Sequence, residues 1–109
     1  MFKVKIVHLI LSKKPEDALE SLSQHYHVVT PSLKVGMPKG HRKNAGCCIA
    51  SKKAIRASNR GNLYNPYLIL HEFYHHLRTH NMKHRGTERY ANKFAEEYIE
   101  VYRKFSASD

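Results

Sequence analysis

The chain has 109 residues, of which 41% are hydrophobic, and this composition suits one small folded domain and does not favour a disordered chain. Its formal net charge of +10 favours contact with nucleic acid or an acidic partner. Lysine and arginine are spread along the chain, however, so a solvated basic surface is an equal alternative. Cys47 and Cys48 are adjacent and have no further partner, which excludes a disulfide framework.

No stretch of the chain is predicted to enter a membrane. The apolar run at 6–11 is too short to span a bilayer, and no small-residue cleavage site follows it. We therefore expect a cytoplasmic protein in a reducing compartment, which suits its two cysteines.

The first part of the chain predicts two strands with a helix between them. Phe2, Val4 and Ile6 alternate with lysines, which favours a strand over a helix. A helix is predicted to begin at Pro15, where two acidic residues and a short apolar stripe follow. Residues 28–30 predict a strand that ends at Pro31, and residues 31–46 predict a loop because glycine and proline recur there.

Two further short strands are predicted at 47–50 and 54–58, joined by a tight turn and followed by a loop over 59–65. Asn65 and Pro66 then predict the start of a helix, as its N-cap and its first residue. A short polar connection at 81–86 leads to a second helix, predicted over 87–105. The side chains that we expect these two helices to bury are Tyr67, Leu70, Tyr74, Leu77, Ala91, Phe94, Ala95, Tyr98 and Tyr102.

The first of these helices carries the sequence His-Glu-Phe-Tyr-His at 71–75. His71 and His75 stand one turn apart, so both imidazoles project from one face and can share one metal ion. Glu72 adjoins that face, where its carboxylate can act on a zinc-bound water as a general base. Only about 0.05 such matches are expected by chance in a chain of this composition. We predict one zinc ion per chain; the alternative is a histidine-rich surface helix that includes His76 and His80.

A catalytic zinc needs a third protein ligand, and the second helix offers Glu88 in its first turn. Asn92 follows one turn later on the same face, where its amide can hydrogen-bond the far nitrogen of a zinc-binding histidine. The alternative for Glu88 is an acid that interacts with the dipole at the start of its helix. Because Glu88 fits the role of third ligand and Asn92 fits that of the histidine's hydrogen-bond partner, we predict that Glu88 is a ligand.

Residues 71–76, together with Glu-Arg-Tyr-Ala-Asn-Lys-Phe-Ala at 88–95, resemble the gluzincin clan of zinc peptidases. The chain looks most like the single-domain minigluzincins and more distantly like the ImmA/IrrE-type peptidases. The resemblance implies an α+β fold in which residues 1–109 form a single domain. The implied fold has a small, mostly antiparallel sheet, a backing helix, an active-site helix with the two histidines and a C-terminal helix with the glutamate ligand. The resemblance also implies that strand 54–58, or a neighbouring strand, accepts an extended peptide.

The implied chemistry is peptide-bond hydrolysis, with Glu72 as the base that passes a proton to the leaving amine. Candidates for the side chain that stabilises the oxyanion are Tyr64, Tyr67, His76 and His41. Many gluzincins have an aspartate where Asn92 stands, so this zinc site is expected to be less strongly tuned. Such proteins can be latent, with a C-terminal segment over the metal; here that requires Asp109 or the terminal carboxylate, since few residues follow the second helix.

Two alternatives remain open. In the first, the third ligand is His84, near the position where SprT-like proteases, which act on DNA-bound proteins, carry a histidine. The positive charge suits that alternative, although the connection between His75 and His84 is short for it. In the second, the chain is a basic nucleic-acid-binding protein with a structural zinc ion and no catalytic use for Glu72.

Overall fold

The computed structural model describes residues 1–40, 43–80 and 88–107, with the backbone alone for His80. These residues form four helices and three strands, which confirms the predicted α+β class. The helices are α1 (Phe2–Leu11), α2 (Pro15–Tyr26), α3 (Pro66–His80) and α4 (Glu88–Ala107). The strands are β1 (Ser32–Val35), β2 (Gly46–Ile49) and β3 (Ala54–Ala57). No helix in the described ranges is long and apolar enough to cross a bilayer.

The sheet has the strand order β1-β3-β2, with β3 in the middle. β2 and β3 form the predicted antiparallel hairpin, and the turn between them closes on Lys53, whose φ is 48°. β1 lies on the other side of β3 and runs parallel to it, so one of the two pairings is parallel and the sheet is mixed. Both edges of β3 are therefore occupied.

The strand predicted at 2–6 is wrong, because these residues begin helix α1. A strand with one buried face buries every second residue, whereas the neighbours Ile6 and Val7 are both buried. With Ile10 and Val4 they form a helical stripe that faces the core. A short apolar run matches both patterns, and the packing of α1 against α2 and α4 selects the helix.

The strand predicted at 28–30 is also wrong, because β1 begins after Pro31, inside the predicted loop 31–46. His27 ends helix α2 in the left-handed conformation, with φ 60°. The N–H of Val28 then donates to the carbonyl of Ser23 at 3.0 Å, which caps the helix. Capping therefore uses a backbone group that a strand would need, and strand pairing starts four residues later.

Helix α3 begins as predicted, with Pro66 first and the N–H of Leu68 donating to Asn65 Oδ1 at 3.3 Å. Its buried side differs from the predicted stripe. Leu70 is fully buried, but Tyr67, Tyr74 and Leu77 are half-buried. The fully buried neighbours are Ile69 and Phe73. The difference arises because the sheet covers one side of α3 and α4 covers another.

Helix α4 packs against α3 through the predicted face. Ala91, Ala95 and Tyr98 are buried, and Phe94 and Tyr102 pack partly buried against the core. The small side chains of Ala91 and Ala95 permit close approach of the two helices. The connection at 81–86 lies outside the described residues.

The helical assignment of α1 predicts that two neighbouring side chains both stabilise the fold. Ile6→Ala and Val7→Ala should each lower the free energy of unfolding by about 2 kcal/mol or more, because each removes buried methyl groups. Leu11→Ala, at an exposed position of the same helix, is the control and should change it by less than about 0.5 kcal/mol. Urea unfolding measures all three, and an effect at only one of Ile6 and Val7 would indicate a strand.

Candidate metal site

The predicted zinc ligands lie together at the start of α4 and the middle of α3. Glu88 Oε1 is 2.8 Å from His75 Nε2, and Glu88 Oε2 is 3.0 Å from His71 Nε2. The two imidazole rings are 5.0 Å apart between centroids and are half-buried, whereas Glu88 is exposed. One carboxylate from α4 thus faces both histidines of α3.

The donor set fits one zinc ion. The ligand atoms of His71, His75 and Glu88 all lie within 4.8 Å of one another. Two ligands of a tetrahedral zinc, with bonds of about 2.1 Å, stand about 3.4 Å apart. Glu88 therefore needs only a small side-chain shift, and an exposed glutamate can make it.

Asn92 lies one turn after Glu88 and contacts the far side of His71. Its Oδ1 accepts a hydrogen bond from His71 Nδ1 at 2.9 Å. An amide oxygen only accepts, so this bond places a proton on Nδ1 and leaves Nε2 to face Glu88. A cation is then required between Nε2 and the carboxylate, either a proton or a metal ion. The contact thus gives His71 the tautomer that a metal-binding Nε2 needs.

Glu72 is only 9% exposed and lines the same cleft as His71 and His75. Burial raises the pKa of its carboxyl; the imidazoles of His71 and His75 act in the opposite direction, and Glu88 raises it further. The pKa of the Cys48 thiol is raised to about 12, mainly by burial and secondly by the negative charge of Glu72. The carboxyl of Glu72 therefore lies close to the zinc-ligand side chains in a largely desolvated position.

An open cleft of about 1100 Å³ runs between β2 and the two long helices. Gly46 shapes this cleft, because a Cβ there would lie 2.8 Å from Leu68 Cδ2 and 3.0 Å from the carbonyl of Arg56. Glycine at this position lets β2 approach α3. The other edge of β2 is unpaired among the described strands. Side chains that line the cleft include Lys43, Cys47, Cys48, Tyr67, His71, Glu72, His75, Thr79, Glu88 and Asn92.

The structure separates the four candidates for oxyanion stabilisation. Tyr67 lines the cleft, with its ring 6.3 Å from that of His71. Partial burial and the nearby carboxylates of Glu96 and Glu88 raise the pKa of its hydroxyl, which keeps it a hydrogen-bond donor. Tyr64 is absent from the lining and instead lies beside the ammonium of Lys13.

Of the other two candidates only His76 is described, and it does not line the cleft. His76 is 2% exposed, and its Nε2 donates to the carbonyl of Val29 at 2.8 Å. It is therefore a structural side chain and not a solvated member of a histidine-rich surface. His41 lies outside the described residues, as do His84 and Asp109, and the side chain of His80 is likewise not described.

Sequence reasoning missed Gly46, Cys47 and Cys48 as neighbours of the site. They belong to the edge strand β2, and its approach to α3 depends on sheet order, which no local pattern encodes. The recurrence of small residues over 45–50 is the only available signal, since small side chains permit close packing.

Comparison with known proteins gives no match: no family model, no curated protein and no solved structure matches the chain. The resemblance to minigluzincins thus depends on residues 71–76 and 88–95 alone. The roles of His71, His75, Glu88 and Asn92 stay predictions that their mutual contacts support.

The buried position of His76 predicts a structural effect of its removal. His76→Ala should lower the free energy of unfolding by about 1–3 kcal/mol, because the carbonyl of Val29 loses its donor in a partly buried place. His8→Ala, at an exposed position, is the control and should change it by less than about 0.5 kcal/mol. Equal unfolding midpoints for both variants in urea would contradict the structural assignment.

Proposed function

We propose that this chain is a zinc-dependent metallopeptidase that holds one zinc ion through His71, His75 and Glu88. The observation that carries the proposal is the convergence of two imidazoles and one carboxylate from two packed helices. Among the described residues no fourth ligand-type side chain joins this group, which leaves a coordination position for water. The adjacent cleft provides room for a substrate.

Zinc, when bound, would polarise the scissile carbonyl and lower the pKa of a coordinated water. Glu72 takes the proton from the attacking water as the new C–O bond forms. It then delivers that proton to the nitrogen as the C–N bond breaks. Tyr67 is the side chain we propose as hydrogen-bond donor to the carbonyl oxygen, because it lines the cleft beside His71.

The substrate we propose is an extended peptide that adds to the unpaired edge of β2. The strand at 54–58 corresponds to β3, whose two edges are occupied by β1 and β2. Its neighbour β2 borders the cleft. Backbone hydrogen bonds along β2 would hold the peptide beside the proposed zinc ligands.

The site contacts favour this version of the peptidase over the SprT-like alternative. Glu88 contacts both histidines, and Asn92 contacts one of them, whereas His84 lies outside the described residues. The structural-zinc alternative gives the cleft and Glu72 no role. We also propose a cytoplasmic location, since Cys47 and Cys48 are free thiols and reducing compartments favour these.

The proposed ligand set predicts about one zinc ion per chain, measured by elemental analysis. His71→Ala and His75→Ala should abolish tight binding, and Glu88→Ala should weaken it sharply in a chelator-competition titration. Asn92→Ala should weaken it by about 10- to 100-fold, because His71 loses its orienting partner.

Controls separate this ligand set from its alternatives. Glu96→Ala removes an exposed carboxylate from the same helix and should leave zinc affinity unchanged. His84→Ala should also have little effect. If His84→Ala weakened binding more than Glu88→Ala, the SprT-like assignment would replace ours.

The proposed base predicts a separation of binding from hydrolysis. Glu72→Gln should retain zinc and fold but lose peptide cleavage, because an amide cannot accept the proton. Glu100→Gln, an exposed change on α4, should retain both. Cleavage of a fluorogenic peptide library and zinc content are the measurements. An inactive wild-type protein whose zinc has four protein ligands by X-ray absorption would favour the structural role.

A further inference from the structure

Acidic residues are absent from a long central part of the chain. Residues 21–71, which include all three described strands, contain no aspartate or glutamate. The same residues include the cations Lys34, Lys39, Arg42, Lys43, Lys52, Lys53, Arg56 and Arg60. The acidic residues of the chain are Glu16, Asp17, Glu20, Glu72, Glu88, Glu96, Glu97, Glu100 and Asp109. The sheet region therefore carries cations without any acidic residue, whereas the helices carry both kinds of charge. The position of the cations alone does not reveal this, because they are dispersed along the sequence.

Two of these cations share one face of the sheet. Lys34 of β1 pairs in register with Arg56 of β3, so both side chains project from the same side. Leu33 and Ile55 pair in the same way on the opposite side and pack in the core. Lys34 is exposed, and Arg56 donates from Nη1 to the carbonyls of Val35 and Gly36 at 3.3 and 3.1 Å.

Four more cations lie at the ends of the strands. Lys52 and Lys53 form the turn between β2 and β3 and are exposed. The N–H of Ser32 donates to the carbonyl of Lys53 at 3.0 Å, which holds this turn beside the start of β1. Exposed Lys43 precedes β2 and exposed Arg60 follows β3. We call Lys34, Lys43, Lys52, Lys53, Arg56 and Arg60 the basic sheet surface.

No described carboxylate neutralises the basic sheet surface. The ion pairs of the described residues belong to the helices, such as Lys3 with Glu97 at 2.8 Å and Arg103 with Glu100 at 3.3 Å. The remaining carboxylate contacts join Glu88 to its two histidines. Charge on the helical side is therefore partly cancelled, whereas the sheet side keeps a positive potential that attracts polyanions.

We propose that the basic sheet surface binds the phosphate backbone of double-stranded nucleic acid without regard to base sequence. Residues 28–63 contain no phenylalanine, tyrosine or tryptophan. Proteins that bind single strands stack the bases on such rings, so a duplex suits this surface better than a single strand. Anchor residues of protein interfaces are mostly tryptophan, tyrosine and arginine, and of these the surface offers only Arg56 and Arg60. Regularly repeated phosphates match a surface that offers charge alone.

This binding does not depend on the proposed peptidase activity, because none of the residues of the basic sheet surface is a proposed zinc ligand or base. Lys43 lines the cleft, so the surface reaches its rim. Nucleic acid bound there would leave the proposed zinc ligands on α3 and α4 uncovered on the helical side.

The test is binding of the intact chain to a fluorescein-labelled mixed-sequence duplex, measured by fluorescence anisotropy over a series of salt concentrations. The double variant Lys34→Glu/Lys52→Glu should lose about tenfold or more in affinity at low salt. Its slope of log affinity against log salt should fall by about 2, one for each lost phosphate contact. The control Lys5→Glu/Lys104→Glu makes the same change in net charge at exposed helical positions and should lose less than about threefold.

Several results would overturn the proposal. Equal losses in both double variants would assign binding to net charge, and tighter binding of a single strand than of the duplex would reject the stated ligand. Tighter binding of polyglutamate would indicate an acidic protein partner instead. Circular dichroism verifies the fold, and if the glutamate variant is unfolded, Lys34→Gln/Lys52→Gln replaces it with the same expected direction.

Discussion

The close packing of α4 against α3 is the constraint on which the candidate site depends. Ala91 and Ala95 are fully buried between the helices, and the ring of Phe94 lies 5.5 Å from that of Tyr74. This contact sets the distance at which Glu88 meets both histidines. A larger residue at either alanine would move the carboxylate away without altering any proposed ligand. The hydroxyls of Tyr26 and Tyr98, 2.7 Å apart, connect the same helix to α2.

The sheet forms the second side of the cleft, opposite this pair of helices. Gly46 allows β2 to approach α3 because a side chain would collide with Leu68. The approach buries Glu72 while leaving one edge of β2 unpaired among the described strands. The same strand therefore desolvates the proposed base and carries the unpaired edge at which we propose that a peptide binds. The basic sheet surface lies on β1, β3 and the strand ends instead, so two separate surfaces share one small sheet.

Local sequence patterns were sufficient wherever a signal and its structural consequence lie within one or two helical turns. The start of α3 at Asn65 and Pro66, the hairpin of β2 and β3, and the face of α4 are of this kind. The patterns failed at α1, at β1 and for the buried side of α3, where Ile69 and Phe73 replace most of the predicted stripe. Alternation at Phe2, Val4 and Ile6 suited two structures, and the capping bond of Val28 removed a residue of high strand propensity from the sheet.

The sequence by itself determined that His71 and His75 share a helical face with Glu72 beside them, because a helical period of 3.6 residues leaves no other arrangement. It also determined that Asn92 stands one turn after Glu88. Only the tertiary structure decided that the carboxylate of Glu88 lies within 3.0 Å of both imidazoles and that His76 turns into the core to bind Val29. These contacts join residues far apart in the chain, and such distances depend on how helices and strands pack.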